Sequence, residues 1–152
     1  MISSPSFADC GIILLAGLTS GLLDITCTLT LNKLKGTAPT RTLQTIASGL
    51  LGPKSFVGGR STAALGLWFH FIIAVAAAAA YYIASRKLGV LIEYAVLYGL
   101  LYGIAVHLFM SFIILPLSSL PRPFSGKFFA TQLVIHMFFV GLPISLIVRH
   151  FA

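Results

Sequence analysis

The stretch Leu65-Gly66-Leu67-Trp68-Phe69-His70-Phe71-Ile72-Ile73-Ala74 is apolar enough to sit in lipid, yet it carries a histidine near its middle. Three other long apolar runs occur in the chain, and each also holds one buried-type ionisable group: Asp24, His107 and His136. Charged or titratable side chains are expensive inside a bilayer, so their recurrence points to an internal face rather than to lipid.

Composition settles the class. The 152 residues are 58% hydrophobic and only 9% charged, and the mean hydropathy is +1.01. A water-soluble surface needs far more charge than that, so the chain belongs with membrane proteins. Ten Lys and Arg against three acids give a net charge of +7. The basic residues stand between the apolar runs, as expected of loops facing an anionic leaflet, and this disfavours nucleic acid as a partner. Cys10 and Cys27 are too few for a disulfide scaffold and show no zinc-type spacing. On one helix they would lie about 25 Å apart, too far to bridge. The stretch Met1–Asp9 lacks a basic n-region and no small-residue cleavage site precedes the first apolar run, so no removable signal peptide is expected.

Four spans follow from length and hydropathy, at about 11–31, 62–84, 93–115 and 128–148. The fold expected is therefore all-α: a polytopic, single transmembrane domain over 1–152, four helices in an up-down bundle. In the first span Gly17 and Gly21 form a small-xxx-small pair, with Asp24 one turn on and Ser20 and Thr28 sharing its face. In the third, Gly99 and Gly103 lead along one face to His107 and Ser111. The fourth carries Gln132 and His136 one turn apart, then Gly141 and Pro143, where a kink is expected because Pro143 cannot donate to the Phe139 carbonyl. Ser85–Gly89 is short enough to make the second and third spans antiparallel neighbours. Tyr81, Tyr82, Tyr94 and Tyr98 gather near that hairpin and suit a headgroup-level aromatic belt.

Between the first two spans, 40–51 reads as a short amphipathic surface helix. Leu43, Ile46, Ala47, Leu50 and Leu51 share one face, and Thr42, Gln44, Thr45 and Ser48 lie opposite. Ser118–Pro123 is a proline-rich loop containing Arg122. Loops one and three hold Lys33, Lys35, Arg41, Lys54, Arg60, Arg122 and Lys127, against Arg86, Lys87 and Arg149 on the other side. That asymmetry places loops one and three in the cytoplasm and both termini outside.

Several phrases together resemble the YagU-like family of uncharacterised small membrane proteins. They are Leu43-Gln44-Thr45-Ile46-Ala47-Ser48-Gly49-Leu50-Leu51-Gly52, Gly58-Gly59 with Thr62-Ala63-Ala64-Leu65-Gly66, His70-Phe71, Tyr81-Tyr82-Ile83-Ala84-Ser85, Gly99-Leu100-Leu101-Tyr102-Gly103 and Leu115-Pro116-Leu117-Ser118. Their order and spacing cover roughly residues 43 to 145. The resemblance implies a multi-pass protein of the bacterial inner membrane, with a start in the cytoplasm that conflicts with the charge count, and it implies acid-stress physiology. It supplies no catalytic residue.

Counting in at about 1.5 Å per residue from the side of loops one and three, Asp24 lies roughly 10 Å deep, His107 and His136 about 12 Å, and His70 about 12–15 Å. Asp24, His70, His107 and His136 therefore define one polar layer. His150, at the chain end, reads as interfacial.

Four uses fit such a layer: a hydrogen-bonded cluster fixing helix register, a proton or small-solute pathway, a b-type haem, or a divalent metal. The haem would be held by His70 with His107 or His136, with only Arg60 and Lys127 near for its propionates. The metal would take three His and one Asp, though no pair shares a helix at i, i+3 or i+4. No GxSxG, Walker A, HExxH or dinucleotide fingerprint occurs, so an enzyme is not the expectation, and Ser118 and Ser119 read as turn residues. A non-catalytic accessory or assembly subunit is the alternative, its partners the lipid bilayer and either a second copy or other membrane subunits seated on the glycine faces.

Overall fold

The computed structural model describes residues 7–119 and 125–151. The chain ahead of Phe7, and most of the proline-rich loop with Arg122, lie outside the described residues. Within them the chain is helical, with no strand. Helix α1 runs Phe7–Leu34, α2 Pro39–Leu51, α3 Gly59–Ser85, α4 Val90–Glu93, α5 Ala95–Phe109, α6 Gly126–Ile135 and α7 Leu142–His150. A π turn, Met110–Ile114, continues α5, and a second, His136–Gly141, joins α6 to α7. Four rods result that are long and apolar enough to cross a membrane: Phe7–Leu34, Gly59–Ser85, Ala95–Ile114 and Gly126–His150. The protein is an all-α membrane bundle.

Its outer surface is lipid-like: Leu22, Trp68 and Phe112 are 59%, 62% and 61% exposed. Side chains of this type facing hydrocarbon lose nothing by staying outside, so bundle cohesion must come from close packing of small residues and from internal hydrogen bonds. The first and fourth spans are the inner pair, each with 33% of its apolar window buried against 22% and 17% for the second and third. The order of helices across the bundle is thus second, first, fourth, third.

The short Ser85–Gly89 connection does not make the second and third spans close neighbours. They meet through side chains instead. Tyr102 donates its hydroxyl to the Ala77 carbonyl at 2.6 Å, and the Tyr81 and Tyr102 rings stand 5.0 Å apart. The main core lies at this end, where Tyr81, Tyr82, Ala16, Ala78, Val140, Ile144 and Val148 are buried together. Tyr81 and Tyr82, expected in a headgroup belt, are only 1% and 7% exposed. Each has an internal partner that lets the phenol be buried: the Leu91 carbonyl at 2.9 Å for Tyr81, the Asp9 carboxylate for Tyr82. Tyr94, at 53% exposure, stays outside.

Helix α1 ends at Gly36, whose φ of 82° closes the turn that a side chain would resist. Pro39 then opens α2 at a position where a missing N–H costs nothing. The amphipathicity of α2 is real, and its polar residues are among those packed against the bundle. Thr42, Gln44, Ala47 and Ser48 are buried, whereas Leu50 is 63% exposed. In lipid the polar face is the one that needs partners. Gln44 Nε2 donates to the Gly59 carbonyl at 3.0 Å, and Asn32 Nδ2 donates to Thr42 Oγ1 at 3.3 Å. Gly66 completes the joint, because a Cβ there would collide with the Leu43 carbonyl. Beyond the third span, Ser119 N–H reaches the Gly49 carbonyl at 2.8 Å, tying that end to α2 as well.

The bend expected at Pro143 takes the form of a π turn. The Leu142 N–H bonds the Met137 carbonyl, five residues back. In the third span the Leu115 N–H bonds the Met110 carbonyl at 2.8 Å, and Pro116 comes next. In both cases the wider turn sits just ahead of a proline, which has no N–H to offer and whose ring crowds the carbonyl four residues before it.

Candidate functional site: two ionisable pairs in separate seams

The four ionisable residues of the expected layer do not meet at one point. They form two pairs, each across a glycine-lined seam. In the first, α1 lies directly on α3. A Cβ at Gly17 would stand 2.6 Å from the Val75 Cα, and one at Gly21 would stand 3.0 Å from both Ala74 Cβ and the Phe71 ring. This closeness carries His70 Nε2 to 2.8 Å from the Gly21 carbonyl. A carbonyl only accepts, so Nε2 bears the proton and Nδ1 of the neutral ring keeps the lone pair.

Asp24 stands one turn further along α1, its Oδ2 3.9 Å from His70 Nε2. The side chains of His70 and Asp24 are 13% and 12% exposed. Asp24 Oδ1 has no hydrogen-bond partner, and it is the sole buried side-chain nitrogen or oxygen of that kind among the described residues. Ser20, a turn before it, gives its hydroxyl to the Gly17 carbonyl at 3.1 Å instead.

The second seam joins the third and fourth spans. Gly99, Gly103 and Gly141 interleave so tightly that a Cβ on Gly99 would overlap Ser145, one on Gly103 the backbone of His136 and Met137, and one on Gly141 the backbone of Gly99 and Gly103. Here His107, 4% exposed, and His136 face each other with ring centres 5.1 Å apart and planes tilted by 54°. His136 Nδ1 donates to the Gln132 carbonyl at 2.8 Å, which leaves Nε2 as the free lone pair of the neutral ring. The His107 ring lies against the Phe129 ring, with centres 4.5 Å apart and planes tilted by 55°. Its Nε2 lies a long 3.5 Å from Ser111 Oγ.

Glycines 17, 21, 99 and 103 are therefore all at helix contacts. Gly66, which the sequence alone does not mark as a contact, and Gly141, expected only beside a bend, make contacts as close. No three His, Cys, Asp or Glu side chains converge among the described residues, so the three-histidine, one-aspartate divalent site does not form. His70 is engaged with Gly21 and Asp24 across the first seam, and His107 and His136 pack on each other across the second, so neither expected haem pair, His70 with His107 or His70 with His136, is brought together. His150 is exposed and stacks only on Phe151, at 4.8 Å.

One sequence signal for the second seam is a short internal repeat that hydropathy does not bring out. The phrase His-x-Phe followed by Leu-Pro-x-Ser occurs twice, as His107…Phe109…Leu115-Pro116-Leu117-Ser118 and as His136…Phe138…Leu142-Pro143-Ile144-Ser145. Both copies hold a π turn between histidine and proline, and in both the serine hydroxyl returns to the leucine carbonyl, at 2.7 and 2.9 Å.

Fold and site together define a small polytopic membrane protein with two intramembrane ionisable pairs. Compared with known proteins, the chain matches no family model, no curated protein and no solved structure.

Proposed function

We propose that this is a proton-handling integral membrane protein in which Asp24 and His70 form the unit that takes up and releases the proton. The observation that carries this reading is the unpartnered Oδ1 of Asp24, buried at membrane depth beside an imidazole. A structural polar cluster would satisfy every lone pair, since each orphan in an apolar setting costs about 1–3 kcal/mol. An atom kept open there is a place for a proton to land.

The balance of charge is set by the two side chains. With Asp24 ionised and His70 neutral, the pair carries a charge of −1, the form that lipid penalises most. One proton brings the pair to zero net charge, either as a carboxyl beside a neutral ring or as carboxylate and imidazolium held by mutual attraction. The Gly21 carbonyl stabilises the Nε2–H in both states and holds the ring in place while Nδ1 or Asp24 Oδ1 exchanges. Gly17 and Gly21 act here as positioning residues, because only their missing side chains allow α3 this close.

The same reading takes the protein to be a YagU-like protein of the bacterial inner membrane, which the residue phrases between 43 and 145 support. It takes loops one and three as cytoplasmic, which the basic bias of those loops supports and the resemblance does not. Reconstitution tests the function. Liposomes holding a trapped pH dye and an imposed potential should acidify or alkalinise faster with the protein than without it. Asp24→Asn and His70→Gln should each remove that increment. Liposomes with the wild-type protein that behave as empty ones, or an Asp24→Asn protein with undiminished flux, would sink the reading.

A further inference from the structure

The second seam plays no part in that function, and its geometry has a chemistry of its own. We propose that His107 and His136 form a binding site for a soft, monovalent d10 cation of the Cu(I) class, completed by thioether sulfur from Met110 and Met137.

The first argument is distance. Two imidazoles bound to one tetrahedral metal through bonds of about 2.0–2.1 Å have ring centres roughly 5 Å apart. The His107 and His136 centres are 5.1 Å apart. The second is the state of the ring. A metal-binding histidine normally hands its other N–H to a backbone carbonyl or carboxylate, which sets the tautomer and the ring direction. His136 does this through Nδ1 and the Gln132 carbonyl at 2.8 Å, so Nε2 is the ligating atom. On His107, Nε2 stands 3.5 Å from the Ser111 hydroxyl, too long a contact to compete with a metal bond.

The donor set then selects the ion. Zinc and its harder relatives need three or four ligands from His, Cys, Asp and Glu, and no such group converges among the described residues. Neutral imidazole with thioether is the set that prefers Cu(I). Two of the chain's three methionines flank the pair: Met110 lies one turn beyond His107, and Met137 directly follows His136. The Met137 backbone lies in the seam itself, against Gly103. With all-neutral donors at a site 4% exposed on the His107 side, a single positive charge is also easier to bury than two. Met110 opens the π turn of the third span, and Met137 lies in that of the fourth.

Competition with bicinchoninate tests this on the full chain in detergent. Cu(I) is supplied as the coloured bicinchoninate complex, and the loss of colour counts metal taken by the protein. The measurement is repeated with Cys10→Ser and Cys27→Ser so that thiols do not contribute. One equivalent per chain is expected in both. His107→Ala and His136→Ala should each weaken uptake by at least about 10-fold, Met110→Leu and Met137→Leu by less, and His70→Gln not at all. X-ray absorption of the loaded cysteine-free protein should show two imidazole nitrogens and thioether sulfur, and it decides the matter even if a histidine variant misfolds. No uptake by the cysteine-free protein, uptake indifferent to both histidines, or a spectrum without imidazole overturns the proposal.

Discussion

The two seams use the same device and put it to opposite ends. In each, glycines bring two spans to backbone contact, and an ionisable pair sits beside the contact. Across α1 and α3 the helices are regular, and the pair includes an acid with one oxygen left unsatisfied. Across the third and fourth spans both helices open into π turns, and the pair is two imidazoles in ring contact, one of them locked by a backbone carbonyl. The first seam leaves a carboxylate oxygen without a partner. The second has its polar atoms aimed and nothing left to pair except lone pairs. Burying an ionisable group is therefore not one kind of event in this bundle: one seam leaves a polar atom without a partner, and the other fixes a ring by a backbone carbonyl.

The sharpest way to break this comparison is to fill the seams. Gly103→Val should destabilise the protein by about 3 kcal/mol or more, because the new methyls meet the His136 and Met137 backbone rather than a side chain that could turn aside. Gly17→Val should cost nearly as much through the Val75 backbone. Gly11→Val, with nothing within 4 Å, should stay within about 0.5 kcal/mol of wild type. Helicity followed through an SDS titration reads all three. If Gly11→Val proves as harmful as the other two, close approach is not what holds the spans together.

Truncating the pairs should then separate the seams by sign. His136→Ala loses the bond to Gln132 and the contact with His107, and should cost about 2 kcal/mol. Asp24→Leu removes an oxygen that has no partner, and should leave stability unchanged or raise it by about 1 kcal/mol while abolishing flux. A large loss of stability in Asp24→Leu would mean that the carboxylate is structural, and the contrast between the seams would collapse.

Much of this architecture is legible in the residues alone. Span positions come from hydropathy, because lipid demands long apolar helices and the chain has little else. The four ionisable residues and four of the contact glycines stand out because charge is rare in such runs. The features hidden from the sequence have the same solvent as their cause. Amphipathic patterning marks α2 as a surface helix but not which partners its polar face takes, and Thr42 and Gln44 are buried while Leu50 faces out. Likewise Tyr81 and Tyr82 look interfacial because aromatic residues at span ends usually are, but each phenol has a protein acceptor and goes inside. Depth along each span is readable at about 1.5 Å per residue, whereas the azimuth that splits one layer into two pairs is not. Helix order depends on which glycine faces meet, and Ser85–Gly89 says only that two ends are close.

A small expected effect on stability bears on the π turn itself. Pro143→Ala restores an N–H that can bond the Phe139 carbonyl, so the π turn at His136–Gly141 can tighten into regular helix. Taking one residue out of the turn rotates the helix before it by about 100° relative to the helix after it. Gly103 meets both the Gly141 backbone and that of His136 and Met137, so the rotation strains the seam around the His136 ring. Stability should change by less than about 1 kcal/mol, since the backbone hydrogen bond gained offsets the weakened packing between the His136 and His107 rings. Cu(I) uptake should nevertheless fall, and the proton flux assigned to the other seam should not. A Pro143→Ala protein with undiminished Cu(I) uptake would show that Gly103 and Gly141 hold the π turn open without the proline, so that the geometry of the second seam is set by packing alone.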